Sequence, residues 1–220
     1  MMVKKVNPVS FRVSKFKNWK SCWFVTEKKL FRRYVLEDTI IFKVLYDFLM
    51  GKSIYDILIR RELGRIEIII YTNAVSKIVG KKGFFVNKIK TLVDKLTIDR
   101  VFVFIKEPNE VKKFFTAFYL CSILNSALST SLNNKYKKII YSFGNRNYPF
   151  ISGLKVVLKG RLEGISQSRR KVFKYGLLNL SCFDQYIDYF SYSAITASGK
   201  IGIKVWVCFE KQITKEQFYN

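Results

Sequence analysis

The tetrapeptide Gly80-Lys81-Lys82-Gly83 stands between two stretches of helical periodicity, and that placement limits the surrounding chain more than any other feature of the sequence. A short helix is expected at about 74–80. A second is expected at 84–96, where Val86, Ile89, Val93 and Leu96 share one face. Upstream, residues 30–50 read as a helix because Tyr34, Ile41, Leu45 and Leu49 fall close to helical spacing, with Gly51 as a stop signal. Residues 54–60 alternate, Gly64 marks a turn, and the β-branched run at 65–71 reads as a strand, so the two form a hairpin. Val101, Val103 and Ile105 alternate as a third strand, and Pro108 ends the unit. The order is helix, strand, strand, helix, Gly-x-x-Gly, helix, strand.

The chemistry of that loop follows from its residue types. Glycines at both ends allow a tight turn and leave room for a sugar–phosphate strand to approach the main chain. The helix that follows presents free N–H groups and a positive dipole end to phosphate. Lys81 and Lys82 add charge with little base selectivity, and Lys77 lies one turn upstream. A KH domain clamps about four nucleotides in this way. A plain helix–turn in a basic chain is the alternative.

Charge narrows the function further. Lys and Arg number 40 against 16 Asp and Glu, a net +24. A compact body with that excess repels itself unless a polyanion neutralises it, so RNA, DNA and an anionic membrane are the candidate partners. Hydrophobic residues make up 49%, enough for a packed core, which excludes the disordered class. Histidine is absent, which excludes Ser-His-Asp and Cys-His chemistry and removes the residue best suited to neutral acid–base work. Cys22, Cys121, Cys182 and Cys208 are dispersed and make no C-x-x-C pair, so reduced, mostly buried thiols are expected, with no metal site and no cofactor. No P-loop G-x-x-x-x-G-K-[ST] and no paired carboxylates suited to acid–base work are present, and Glu37-Asp38 reads as part of a solvated helix face. The expectation is a protein that is not an enzyme.

Residues 1–29 read as a basic arm that orders on a partner, with Lys4, Lys5 and Asn7 as RNA contacts. Met1 to Lys20 carries no signal-peptide pattern. The uncharged stretch from Phe114 to Asn134 holds too many Ser, Thr and Asn residues for a spanning helix, so a buried helix at 110–128 and no membrane are expected. A basic helix at 133–142 carries Lys137 and Lys138, followed by a loop from Gly144 to Gly153. In the second domain Leu154, Val156 and Leu158 alternate against Lys155 and Lys159, residues 172–178 form another strand, and a hairpin turning at Gly199 joins strands at 186–196 and 201–209. The domains expected are the arm at 1–29, an RNA-binding domain at 30–108, a helical connector at 109–152, a carboxy-terminal α/β domain at 153–211 and a tail at 212–220.

Six short motifs, in order along the chain, carry a resemblance: Lys5-Val6-Asn7-Pro8, Trp23-Phe24, Ile78 to Gly83, Gly160-Arg161-Leu162-Glu163-Gly164, Ile187-Asp188-Tyr189, and Gly199 to Trp206. Together they resemble the small-subunit ribosomal protein S three family of bacterial and organellar type, over nearly the whole chain. The resemblance implies an α+β fold: a type II KH domain followed by a second α/β sandwich domain. It also implies a place in the head of the small subunit, with small-subunit rRNA, mRNA and neighbouring head proteins as partners, and a share in lining the channel by which mRNA enters. The family often has a pair of arginines on its basic helix where Asn133 and Asn134 stand here, while Lys137 and Lys138 remain.

Other basic positions have two readings each. Ser168-Arg169-Arg170-Lys171 is read as a phosphate contact rather than a solvated run, with Arg169, Arg170 and Lys171 as the contacting residues. Arg161 either contacts RNA or pins its strand. Arg32-Arg33 and Arg60-Arg61 face a partner or water, and Trp23 and Trp206 are read as core rather than stacking platforms. The abundance of Lys, Phe, Tyr, Ile and Asn matches A/T-rich codons and suggests an organellar gene, mitochondrial first and plastid second. A protein made there needs no import sequence. A free-standing KH regulator of single-stranded RNA is the competing function; it leaves the carboxy-terminal domain and the arm unexplained.

Overall fold

The computed structural model describes residues 6–13, 15, 18–52, 54–62, 64–72, 74–107, 116–129, 135–145 and 151–209. In chain order the elements are α1 (Pro8–Phe11), β1 (Ser21–Cys22), α2 (Lys28–Leu49), β2 (Ile54–Glu62), β3 (Arg65–Thr72), α3 (Val75–Val79), α4 (Phe84–Asp94), β4 (Arg100–Lys106), α5 (Ala117–Ser129), α6 (Lys135–Asn145), β5 (Ile151–Gly160), β6 (Arg169–Gly176), β7 (Ile187–Thr196) and β8 (Gly199–Phe209). They divide into two compact units, Trp19–Pro108 and a second made of Met1–Asn18 with Asn109–Asn220.

The first unit has the sheet β1-β2-β3-β4. β2 and β3 pair antiparallel through the turn at Gly64, and β3 and β4 pair parallel, which needs the α3–α4 crossover between them. Ile66, Ile68 and Ile70 on β3 are fully buried, as expected of a central strand. Ile41, Leu45 and Leu49 of α2, and Ile89 and Val93 of α4, supply the helical side of the core at three- and four-residue spacing. α2 stops at Leu49, two residues before Gly51, whose φ of 84° suits glycine.

Glu37 and Asp38 do not lie on a solvated face. Asp38 is buried and accepts hydrogen bonds from Arg61 and from the Trp23 indole (Nε1 to Oδ2, 2.8 Å), while Glu37 accepts from Arg33 and Arg61. Arg61 likewise faces neither partner nor water: its guanidinium is buried between these carboxylates and the Tyr34 ring. The chain reads as a run of surface charges here because neither the Arg60-Arg61 pair nor Glu37-Asp38 shows in sequence which member points inward.

The second unit has the antiparallel sheet β6-β5-β8-β7. α5 and α6, which the sequence places in a connector, pack on one face of this sheet. Leu120, Cys121 and Leu124 meet Leu154, Val156, Val205 and Val207 in a single core. Asp188 on β7 accepts from the backbone N–H of Ala117 at 2.8 Å, satisfying one of the free donors at the start of α5. The loop expected from Gly144 to Gly153 is narrower in the structure. α6 reaches Asn145 and β5 begins at Ile151, because Gly153 pairs with Gly176 and Cys208 across the sheet.

Part of the expected arm orders on the chain itself. Asn7 caps α1 by accepting from Val9, and Arg12 is buried, donating to the carbonyls of Pro8, Leu180, Cys182 and Gln185 at 2.6–3.2 Å. Lys4, Lys5, Asn133, Asn134 and the tail at 212–220 lie outside the described residues. No helix among the described residues is long and apolar enough to cross a membrane. Cys121 and Cys208 are buried thiols, Cys182 is half-buried and Cys22 is exposed.

Candidate nucleic-acid interface

The Gly80–Gly83 loop has the backbone its residues imply. Gly80 takes φ 71° and ψ 179°, Lys82 sits in the left-handed region at φ 53°, and Gly83 follows at φ 74° as the residue before α4. An ideal Cβ on Gly80 would lie 2.5 Å from the ring of Phe85, whereas one on Gly83 would meet nothing. The loop is therefore closed on its inner side and open at Gly83. Lys77, Lys81 and Lys82 are all exposed. α4 begins without a side-chain cap and without an acidic residue in its first turn, so its leading N–H groups and its dipole are available to an anion.

Phe85 also holds the loop's support in place. Its ring lies 3.7 Å from Nζ of Lys52, which Phe48 flanks at 4.8 Å. Among the described residues that ammonium has no hydrogen-bond acceptor, and the two aromatic rings are its electrostatic partners. Burial first, and then the charge of Lys88, lower its pKa.

The helix–loop–helix lies within residues 38–114, which match the family model described as KH domain; residues 132–207 match the one described as Ribosomal protein S3, C-terminal domain. The small ribosomal subunit protein uS3 of Vesicomyosocius okutanii is 31% identical over 207 residues, covering 94% of this chain and 88% of its own. That of Pelagibacter ubique is 31% identical over 220 residues, covering 98% and 95%, and that of Nitrosomonas eutropha is 29% identical over 219 residues, covering both chains fully. The chain belongs to the uS3 family. Its first unit is accordingly a type II KH domain, with α2 and β2 ahead of the strand–helix–loop–helix–strand core, and the α+β class expected from the sequence holds.

In this uS3 chain the other basic positions occupy varied surroundings. Lys137 on α6 and Lys171 on β6 converge on Glu163, at 2.7 and 3.0 Å, and the Tyr136 hydroxyl donates to the same carboxylate oxygen at 2.7 Å. Hydrogen bonds from Lys137, Tyr136 and Lys171 hold the Glu163 carboxyl at about 2. Burial, and then the bond to Glu163, push the Tyr136 hydroxyl upward. Lys138 is exposed. Arg161 donates to the carbonyls of Ile165 (3.0 Å) and Ser198 (3.4 Å), so of its two readings the geometry matches the pin.

Arg169 and Arg170 are exposed on β6, which starts earlier than the 172–178 expected, so the basic run belongs to a strand and its neighbours point to opposite faces. Trp206 is half-exposed and stands on the sheet face away from α5, against the expectation of a core position. In the sequence Lys155 and Lys159 are the solvent side of one strand. Strand pairing is not written in the local sequence, and only the register shows that Lys204 and Trp206 lie beside them.

Proposed function

We propose that this chain is a structural constituent of the small ribosomal subunit that binds rRNA through the Gly80–Gly83 loop and acts by binding, without catalysing a reaction. The observation that carries this reading is the loop itself: two positive-φ glycines, exposed Lys77, Lys81 and Lys82, and an uncapped helix start, all in a chain with a large positive excess. Full-length relatives named small ribosomal subunit protein uS3 support it. Lys4, Lys5, Asn7, Lys138, Arg169 and Arg170 are further RNA contacts on this reading. Lys137, Arg161 and Lys171 would reach RNA while keeping the bonds they make to Glu163, Ile165 and Ser198.

The same reading puts the chain in the subunit head, beside neighbouring head proteins and along the path by which mRNA enters. The A/T-biased composition supports an organellar ribosome, mitochondrial first and plastid second. Sedimentation of native extract tests the assignment: the chain co-migrates with small subunits in moderate salt. The double substitution Lys81→Asp with Lys82→Asp lowers incorporation and RNA binding. Unchanged incorporation and unchanged binding would remove the loop from the contacts.

A further inference from the structure

We propose that the face of the second sheet turned away from α5 and α6 is a second RNA surface, which takes a single-stranded segment with phosphates on its cations and a base against Tyr189 and Trp206. This rests on the RNA-binding reading above and adds a site to it.

The pairing register defines the face. One row runs Lys174, Lys155, Trp206, Tyr189 across the four strands. The next runs Val172, Val157, Lys204, Ser191, and the third Arg170, Lys159, Gly202, Ser193. No carboxylate stands in any of these rows. The fourth row, Gly176, Gly153, Cys208 and Ile187, ends in buried residues near α1, which packs against β7, and Arg12, which binds the 180–185 loop. A broad cleft runs over the face, with Asn7, Pro8 and Phe11 on one side and the lysines on the other.

Two features point to a polyanion. Lys155 stands directly opposite Lys174, and Lys159 directly opposite Arg170. Like charges at facing positions destabilise a sheet, and an external anion relieves that repulsion. Lys155 and Lys159 on β5, like Lys174 and Arg170 on β6, are four residues and so about 13 Å apart, close to two phosphate spacings of an extended polynucleotide, and Lys204 stands in the row between them.

Two more favour RNA over an acidic polypeptide. The rings of Tyr189 and Trp206 lie 5.1 Å apart at 38°, both half-exposed, with Lys155 Nζ 5.1 Å from the Trp206 ring. A basic groove with neighbouring aromatic rings is the arrangement by which single strands are held without sequence preference. Ser191 and Ser193 are exposed beside them and supply hydroxyls for sugar or phosphate oxygens.

The test uses the full chain and a short oligouridylate carrying 4-thiouridine, irradiated and mapped by peptide mass spectrometry. Cross-links on β7 and β8 as well as at residues 80–83 are expected. The variant K159Q/R170Q/K204Q should lower the slope of log affinity against log salt by about 2, near 0.7 for each charge removed, and should do so in a K81D/K82D background as well. Cross-links at the loop alone, with an unchanged slope, overturn this site and leave the loop reading standing. Cross-links on the sheet alone support this site and overturn the loop. Polyglutamate competing as well as the RNA would make an acidic protein segment the occupant and overturn the proposal.

Discussion

Arg61 on β2 donates both Nε (2.9 Å) and Nη2 (2.7 Å) to one oxygen of Asp38 on α2, while its Nη1 reaches Glu37 at 2.8 Å. The pair ties the long helix to the sheet from inside the KH unit, where Arg61 keeps 2% of its side chain exposed and Asp38 6%. Removing one member of a buried pair strands the other charge and costs about 3–5 kcal/mol. Arg61→Met should therefore destabilise the KH unit by about that amount, seen as faster hydrogen exchange across β2 and β3. Adding Asp38→Leu should recover part of the loss, because the stranded carboxylate is gone. A single substitution that leaves exchange unchanged would mean the pair does not fasten α2.

The two loop glycines should respond differently to a methyl group. Gly83 lies in the left-handed helical region, which costs about 1–2 kcal/mol for an L-residue, while Gly80, with ψ at 179°, lies in a region essentially restricted to glycine, and an added Cβ there also lies 2.5 Å from Phe85. Gly80→Ala should lower the urea midpoint more than Gly83→Ala, and should move Phe85 off Lys52. Equal losses would place Phe85 elsewhere.

How far the sequence carried this reading depended on which interactions are local. Hydrophobic period and glycine positions are local, and they located α2, β3, the loop and α4 within a few residues. Charge partners are set by tertiary pairing. Glu37-Asp38, Arg61, Lys137 and Lys171 all read as solvent or RNA groups, yet each has an opposite charge or an acceptor within the chain. Trp206 differs from its expected core position for the same reason: alternation gives two faces to β8, and only the position of α5 decides which one is covered.

The Glu163 cluster makes a pH-dependent contribution with a definite sign. The carboxyl sits at about 2 in the folded chain against an ordinary 4.5, held down by Lys137, Tyr136 and Lys171. A depressed acid stabilises the fold above its unfolded value and loses that contribution as pH falls from 4.5 toward 2. The difference in melting temperature between the full chain and Glu163→Gln should be largest near neutral pH and should shrink toward pH 3. A gap that is constant with pH would mean the carboxylate's charge is not what holds α6 to β6. The effect is modest, since the group keeps 24% exposure and salt screens it.

The four thiols should separate by reactivity. Alkylation requires the thiolate. Burial pushes Cys121 up to about 12 and also raises Cys208, and both side chains are closed off in the second unit. At pH 8 Cys121 is ionised to roughly one part in ten thousand, and access to it requires α5 to leave the sheet, whereas Cys208 is buried on the opposite face of the sheet. Cys22 is exposed and Cys182 half-buried. Iodoacetamide on the native full chain should therefore label Cys22 first and Cys182 more slowly, leaving Cys121 and Cys208 until urea unfolds the second unit. Labelling Cys121 as fast as Cys22 in the native state would contradict the packing of α5 against β7 and β8.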